Sequence, residues 1–305
     1  SSIISEWLYQ SSIGSSRQTP LFIRNEEGIA VNEKKFPEGI DKEGNTNQNR
    51  LFISLCAQLG GVISQQIVEW FRTGINTISG NNSQDYLNYT KFMLHKHIDG
   101  CNEALHFFQT LHLGFSKLET KEIEFDSTQL PPEIPNELKA QLTKKLQGSK
   151  SIELYSQHNI YDNNGKVAKQ QSFDVATMES DGTNKLIQLS GPIFDTLACG
   201  ATLVIDELDS KMHPLISEYI VKLFNSPKTN PKHAQLIFTT HDTHLLTSKL
   251  LRRDQIWFTE KNSAEQTDLY NMMDIKLPDG TPPRNDANYE KNYILGRYGA
   301  IPFIV

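Results

Sequence analysis

The sequence predicts an α/β protein: a parallel sheet flanked by helices, with an N-terminal β segment and a helical insertion. Three observations carry this. Leu203-Val204-Ile205 follows Thr202 without a polar break, which suits a strand buried on both faces, as in a parallel sheet. Residues 175–305 alternate strand and helix patterns, the signature of parallel strands joined by helical crossovers. Between strand-like segments, residues 49–113 change to apolar spacings of three and four, the period of helix faces.

The bulk composition narrows the class. The chain has 305 residues, 37% of them hydrophobic and 22% charged, a globular composition large enough for one big domain or two smaller ones. A net charge of −6 supplies no global basic field toward nucleic acid or membrane; nucleic-acid contact would need a local patch. Cys56, Cys101 and Cys199 lie far apart, which argues against a disulfide framework and fits a reducing cytoplasm. No apolar run approaches the roughly 18–20 residues of a membrane span, and no signal-peptide pattern opens the sequence. The first residue is Ser1 and the opening is already strand-like, so a remnant of a longer chain is expected.

The elements follow in order. Residues 3–9, 20–24 and 28–32 predict short strands, with turns at Gly14-Ser15-Ser16 and at 25–28. Residues 33–48 are polar and rich in Gly and Asn, an exposed loop. Leu51, Leu55 and Leu59, then Ile63, Ile67, Trp70, Phe71 and Ile75, predict two helices separated by Gly60-Gly61. A third helix begins near Asp85-Tyr86 and a fourth near Asn102-Glu103. His95, His97 and Cys101 have metal-ligand chemistry, but positions 95 and 97 point to different sides of a helix. Residues 115–125 predict a strand, Pro131-Pro132 and Pro135 a break, and 137–147 a short amphipathic helix. Strands at 151–158 and 166–174 flank Asp162-Asn163-Asn164-Gly165, a strong hairpin signal. Then come a helix at 179–199, interrupted by Pro192, a strand at 202–206, a helix at 213–225, a strand at 235–240 and a short helix at 242–250. Strands at 255–260 and 268–272, a tail helix over 285–298 and an apolar end at 301–305 complete the chain. The expected division is a β-rich part at 1–48, a mainly helical insertion at 49–150 and a C-terminal lobe at 151–305.

Chemistry concentrates in that last lobe. Asp206 and Glu207 stand where the strand 202–206 ends, and ligands in open α/β sheets bind beyond the carboxyl ends of strands. Such a pair can hold Mg²⁺ and polarise a water; it can also be a solvated acidic turn. Ser180, Asp181, Gly182 and Thr183 precede an apolar-periodic helix. Hydroxyls, a glycine and free helix N–H groups can receive an anion, and equally Ser180 or Asp181 can be an ordinary N-cap. Asp209 follows the carboxylate pair, and His213-Pro214 opens the next helix. The strand 235–240 runs into His241-Asp242, where a histidine can contact a γ-phosphate and its attacking water, or merely bond within a turn.

Taken jointly, Ser-x-Gly-Thr before a helix, Leu-Val-Ile-Asp-Glu-Leu-Asp-Ser-x-x-His-Pro and Ile-Phe-Thr-Thr-His-Asp resemble the ABC-type ATPases of the SMC, Rad50 and OLD kind. They are similar above all to bacterial AAA-annotated ATP-binding proteins associated with phage defence. The likeness is strong over 175–305, including the tail Leu-Gly-Arg-Tyr-Gly-Ala-Ile-Pro-Phe, and weaker elsewhere. The resemblance implies an ABC-ATPase-like sheet, ATP and Mg²⁺ as ligands, and a head-to-head homodimer with two nucleotides between subunits. It implies Asp206 for the metal in a Walker B motif, Glu207 as general base and His241 as the switch histidine. By the same resemblance Ser180, Asp181, Gly182 and Thr183 would form a signature-like loop, and Asp209 would be the D-loop residue. One departure stands out: no Gly-x-x-x-x-Gly-Lys-Ser/Thr occurs. In the family that loop precedes the insertion, so the chain is expected to be the C-terminal portion of such an ATPase, with little ATP binding or turnover alone.

The expected function is thus part of an ATPase whose ATP-driven dimerisation controls a partner effector, a nuclease or toxin, in the cytoplasm and without membrane contact. A non-hydrolysing interaction scaffold is one alternative. A metal-dependent nuclease using Asp206, Glu207, Asp209 and His241 is another.

Overall fold

The structure is a computed structural model that describes residues 2–79, 84–126, 135–277 and 280–301. The expected break at Pro131-Pro132 and most of the apolar end at 301–305 lie outside those residues. The chain divides into two compact units, Ser1–Asn76 and Thr77–Val305.

In the first unit, β1 (Glu6–Gln10), β2 (Thr19–Asn25) and β3 (Gly28–Val31) form an antiparallel sheet in sequence order. Helices α1 (Phe52–Gln58) and α2 (Val62–Gly74) follow. Phe22 and Phe52 meet edge to face at 5.0 Å in a small core with Leu21, Phe36 and Cys56. Each helix lacks a capping residue of its own and takes a distant carboxylate instead. Glu6 accepts from the Phe52 and Ile53 amides at 2.7 and 3.0 Å, and Glu38 from those of Ile63 and Ser64 at 3.0 and 2.8 Å. Negative charge at a helix start satisfies orphan donors and complements the dipole.

A three-stranded sheet has the order β4–β8–β9, with β4 (Ile75–Ser79), within which the division between the units falls, β8 (Thr202–Asp206) and β9 (Gln235–Phe238). Strands β8 and β9 are parallel, Thr202 opposite Gln235 and Ile205 opposite Phe238, which confirms the expected parallel sheet. Strand β4 corrects the sequence reading, which carried helix spacing on through Ile75. Gly74 ends α2, and the β-branched run Ile75, Thr77, Ile78 favours extended chain. Among the described residues β9 is an outer strand, with Ile237 56% exposed.

Helices α3 (Gln84–Lys96) and α4 (Cys101–Leu111), strand β5 (Lys117–Glu124) and helix α5 (Asn136–Leu146) come next. Strands β6 (Lys150–Tyr161) and β7 (Val167–Asp174) complete an antiparallel β5–β6–β7 meander. The one-turn α6 (Val175–Met178) leads to α7 (Asp181–Cys199), and α8 (Pro214–Asn225) lies between β8 and β9. The main core draws on α3, α4, β6, α7, β8 and α8: Met93, Phe107, Leu154, Ile187, Leu189, Ile193, Leu203, Ile205 and Ile220 are all buried within it. His95 bonds Thr120 and Glu122 across to β5, a structural use that leaves no zinc arrangement with His97 and Cys101.

Helix α7 runs unbroken through Pro192. Proline cannot donate to the carbonyl four residues back, Gln188. The Thr90 hydroxyl of α3 donates to that carbonyl at 3.1 Å and accepts from the Gly191 amide at 3.1 Å. The lost helix bond is therefore replaced by a helix–helix bond.

The C-terminal elements are shorter than expected. The predicted helix at 242–250 is one 3-10 turn, Thr243–Leu245, capped by Asp242. The tail helix is α9 (Tyr289–Ile294), started late by Asn288 as N-cap. Before it, β10 (Trp257–Lys261) and β11 (Thr267–Asn271) form an antiparallel pair, packed with Tyr289 and Tyr298 in a core of their own.

Candidate functional site

The parallel register places Asp206 beside Thr239, one step past the last paired residues. The Thr239 hydroxyl donates to Asp206 Oδ1 at 2.6 Å and accepts from the Glu207 amide at 2.8 Å. The Leu208 amide donates to the Thr239 carbonyl at 3.0 Å. One hydroxyl thus fixes the end of β8 to the end of β9 and orders the backbone between the two carboxylates. Glu207 has φ +55° and Lys211 φ +60°, the left-handed region that costs a non-glycine residue about 1–3 kcal/mol and persists where surroundings overdetermine it.

Asp209 lies one turn further on. Its Oδ1 accepts from the Thr240 hydroxyl at 2.6 Å and the His241 amide at 3.3 Å. The Asp209 carboxylate is thus engaged with the segment that follows β9. The His241 side chain is exposed at this edge. Asp242 receives both the backbone amide and Nδ1 of His244, at 3.0 and 2.9 Å. That bond, reinforced by Glu290, raises the His244 pKa above the ordinary histidine value. His244, not His241, is the histidine given a carboxylate partner here.

Helix α7 turns into β8 through Gly200, whose φ is +74° and ψ +28°. Helix and strand then run in opposite directions, so the α7 N-terminus returns to the carboxylate end of β8. Ser180 caps it, accepting from the Thr183 amide at 3.2 Å. Asp181 pairs with Lys211 at 3.2 Å on the surface, and a Cβ on Gly182 would lie 3.2 Å from the Lys211 carbonyl. The 207–212 turn therefore joins the Ser180–Thr183 loop to the strand-end carboxylates. On the other side, Glu179 pairs with His158 of β6 at 2.9 Å, and its side chain is only 9% exposed. That pair ties the start of the loop to the meander.

The structure thus gathers Asp206, Glu207, Asp209 and His241 at one edge and brings 181–182 to it through Lys211. Thr239 and Thr240 are the residues the sequence reading passed over. Their signal was present as two hydroxyls before His241, but their partners follow only from strand register. Thr239→Val, which keeps the volume and removes the hydroxyl, is expected to destabilise the protein by about 1–3 kcal/mol. Urea unfolding checks this.

The donor set bears on a metal. Among the described residues, no three or more His, Cys, Asp or Glu side chains assemble to hold an ion. Asp206 offers one exposed carboxylate. Mg²⁺ commonly uses one or two carboxylates, with phosphate and water as its other ligands, so Asp206 fits a cation that arrives with a phosphate ligand. The grouping does not fit the several converging carboxylates of a two-metal nuclease.

Residues 82–247 match the family described as "AAA domain, putative AbiEii toxin, Type IV TA system", and the chain belongs to it. This is an AAA-type ATPase family, as the motif resemblance implied. No curated protein matches the chain. Among solved structures it is similar to the recombination mediator protein RecF with ATP, of the RecFOR pathway, at 17% identity and a TM-score of 0.24. The similarity covers 68% of this chain and 53% of that one, so the chain spans about half of RecF. No described helix is long and apolar enough to cross a membrane.

Proposed function

We propose that the strand-end edge holds Mg²⁺–ATP and supports its hydrolysis, and that nucleotide-driven pairing of two copies controls a partner effector. The observation that carries this reading is the Thr239 hydroxyl bridging Asp206 and the Glu207 amide. It gives two adjacent carboxylates separate surroundings: Asp206 is held by a hydroxyl donor, while Glu207 is aimed by a fixed left-handed backbone. In this assignment Asp206 binds the metal through water, which neutralises charge on the phosphates. Glu207 takes the proton of the attacking water. His241 stands beside the γ-phosphate. Ser180, Asp181, Gly182 and Thr183 offer hydroxyls and helix-end N–H groups to the nucleotide carried by the second copy. Asp209 joins this edge to His241 within one copy.

The 305 residues contain no phosphate-cradling loop of the Gly-x-x-x-x-Gly-Lys-Ser/Thr type. We place that function in a segment outside them, so nucleotide binding belongs to the protein in its full encoded length. A cytoplasmic effector system, with a nuclease or toxin as partner and phage defence as its setting, fits the family match. Asp206→Asn tests the metal assignment. In the full-length protein it is expected to raise the Mg²⁺ concentration needed for half-maximal ATP turnover by about tenfold or more. An unchanged Mg²⁺ dependence contradicts the assignment.

A further inference from the structure

Lys185 lies in α7, four residues after Asp181, and is 4% exposed. Its ammonium is buried and has no hydrogen-bond partner among the described residues. A buried charge without a partner is costly. Side chains on a helix lean toward its N-terminus, so the Lys185 stem runs back over the turn of Asp181 and Gly182. The charge it feels there is a like one: burial first, then Lys211, holds its pKa below the usual lysine value. The one acidic group on that turn, Asp181, is already paired with Lys211 on the surface. The helix is 19 residues long; the Ser180 hydroxyl takes its Thr183 amide and the Ser180 carbonyl its Asn184 amide, so the Asp181 and Gly182 amides are the ones that a helix start leaves to a ligand. Gly182 bares the backbone: among the described residues outside its own helix, a Cβ there would meet only the Lys211 carbonyl.

We propose that Lys185 is the cation of an anion site at the α7 N-terminus, which takes the terminal phosphate of a nucleoside triphosphate. The inference rests on the nucleotide reading above and adds a residue and a mechanism to it. Without nucleotide the ammonium stays buried and uncompensated. Its flexible four-carbon stem lets it move to the helix end when a phosphate arrives, where the amides and the ammonium share the charge. Relief of the buried charge then contributes to binding, and the nucleotide-free chain is held at a disadvantage.

The test uses the full-length protein with ATP or ADP, Mg²⁺ present, and compares wild type with Lys185→Met and Lys185→Arg. Without nucleotide, Lys185→Met is expected to melt at the wild-type temperature or about 2–4 °C above it. Its affinity for ATP is expected to fall about 10- to 100-fold, while that for ADP, which lacks the terminal phosphate, stays within a factor of about two. Lys185→Arg keeps the charge and retains most of the preference for ATP. A Lys185→Met protein with lower stability and unchanged ATP affinity overturns the proposal, because the lysine is then structural. If Lys185→Met does not fold, equal ATP preference in Lys185→Gln and wild type overturns it instead. Failure of the wild type itself to bind ATP overturns the nucleotide reading and this inference together.

Discussion

Glu207→Gln lowers ATP turnover by the full-length protein about 10²- to 10⁴-fold, the range for loss of a positioned general base. The substitution keeps size and shape and removes the negative charge, and with it the capacity to accept a proton. The backbone at 207 is fixed by bonds the side chain does not make: its amide reaches the Thr239 hydroxyl at 2.8 Å, and the next amide reaches the Thr239 carbonyl at 3.0 Å. The glutamine is therefore carried in the same place. Binding of ATP depends on the phosphate-facing groups and Asp206, so it persists, and the loss falls on kcat rather than KM. Steady-state hydrolysis with parallel binding of a non-hydrolysed analogue checks this split. Equal turnover in variant and wild type would remove Glu207 from the reaction.

Gly191→Ala is expected to cost about 2–4 kcal/mol of stability, although alanine is the better helix former by about 1 kcal/mol. The added Cβ would lie 2.5 Å from Thr90 Oγ1, 3.0 Å from Thr90 Cα and 3.1 Å from the Tyr89 ring. A side-chain rotation can relieve the first contact but not the second, which is backbone. Helices α3 and α7 must then move apart. That separation breaks the bond from Thr90 to the Gln188 carbonyl and the one from the Gly191 amide to Thr90. The Gln188 carbonyl then has no helical substitute, because the residue four positions on is Pro192, which has no N–H to donate, and the site is buried in the core. The effect reaches the candidate site, because the same helix carries Ser180–Thr183 at its far end. Denaturant unfolding measures the loss. A stabilised Gly191→Ala protein would show that the helices are not held at this separation by Thr90.

Much of the second unit was legible because its signals are local. Leu203-Val204-Ile205 closing on Asp206 gives a strand to the residue, the turn Asp162–Gly165 gives the β6–β7 hairpin, and Ser180 and Gly200 bracket α7. Strand β4 was hidden because Ile75 and Ile78 also fit a continued helix face. What separates the two readings is pairing with β8, a contact far away in sequence. The tail was over-read in two ways: Asn288 caps α9 three residues after the expected start, whereas the 242–250 segment starts at its Asp242 cap as expected but stops after Leu245. At the site, the types Asp206, Glu207, Asp209 and His241 were readable, since strand ends collect ligands. Their wiring was not. That Thr239 serves both Asp206 and Glu207, and that Asp209 holds Thr240 and His241, depends on which residue of β9 stands opposite which residue of β8. Lys185 was invisible for a similar reason, because a lysine inside an amphipathic helix is ordinary until its ammonium proves to have no partner.

The central claim is that ATP is bound and cleaved at the edge formed by Asp206, Glu207 and His241, between two copies of the protein. Its most direct test is the solution mass of the full-length protein with Mg²⁺ and ATP, for wild type and Glu207→Gln, beside turnover in the same samples. The account predicts that wild type hydrolyses ATP and pairs transiently, while Glu207→Gln stays paired with unhydrolysed ATP trapped in it. A wild type and a variant that hydrolyse ATP at the same rate, or that both keep one mass with no nucleotide retained, would contradict it.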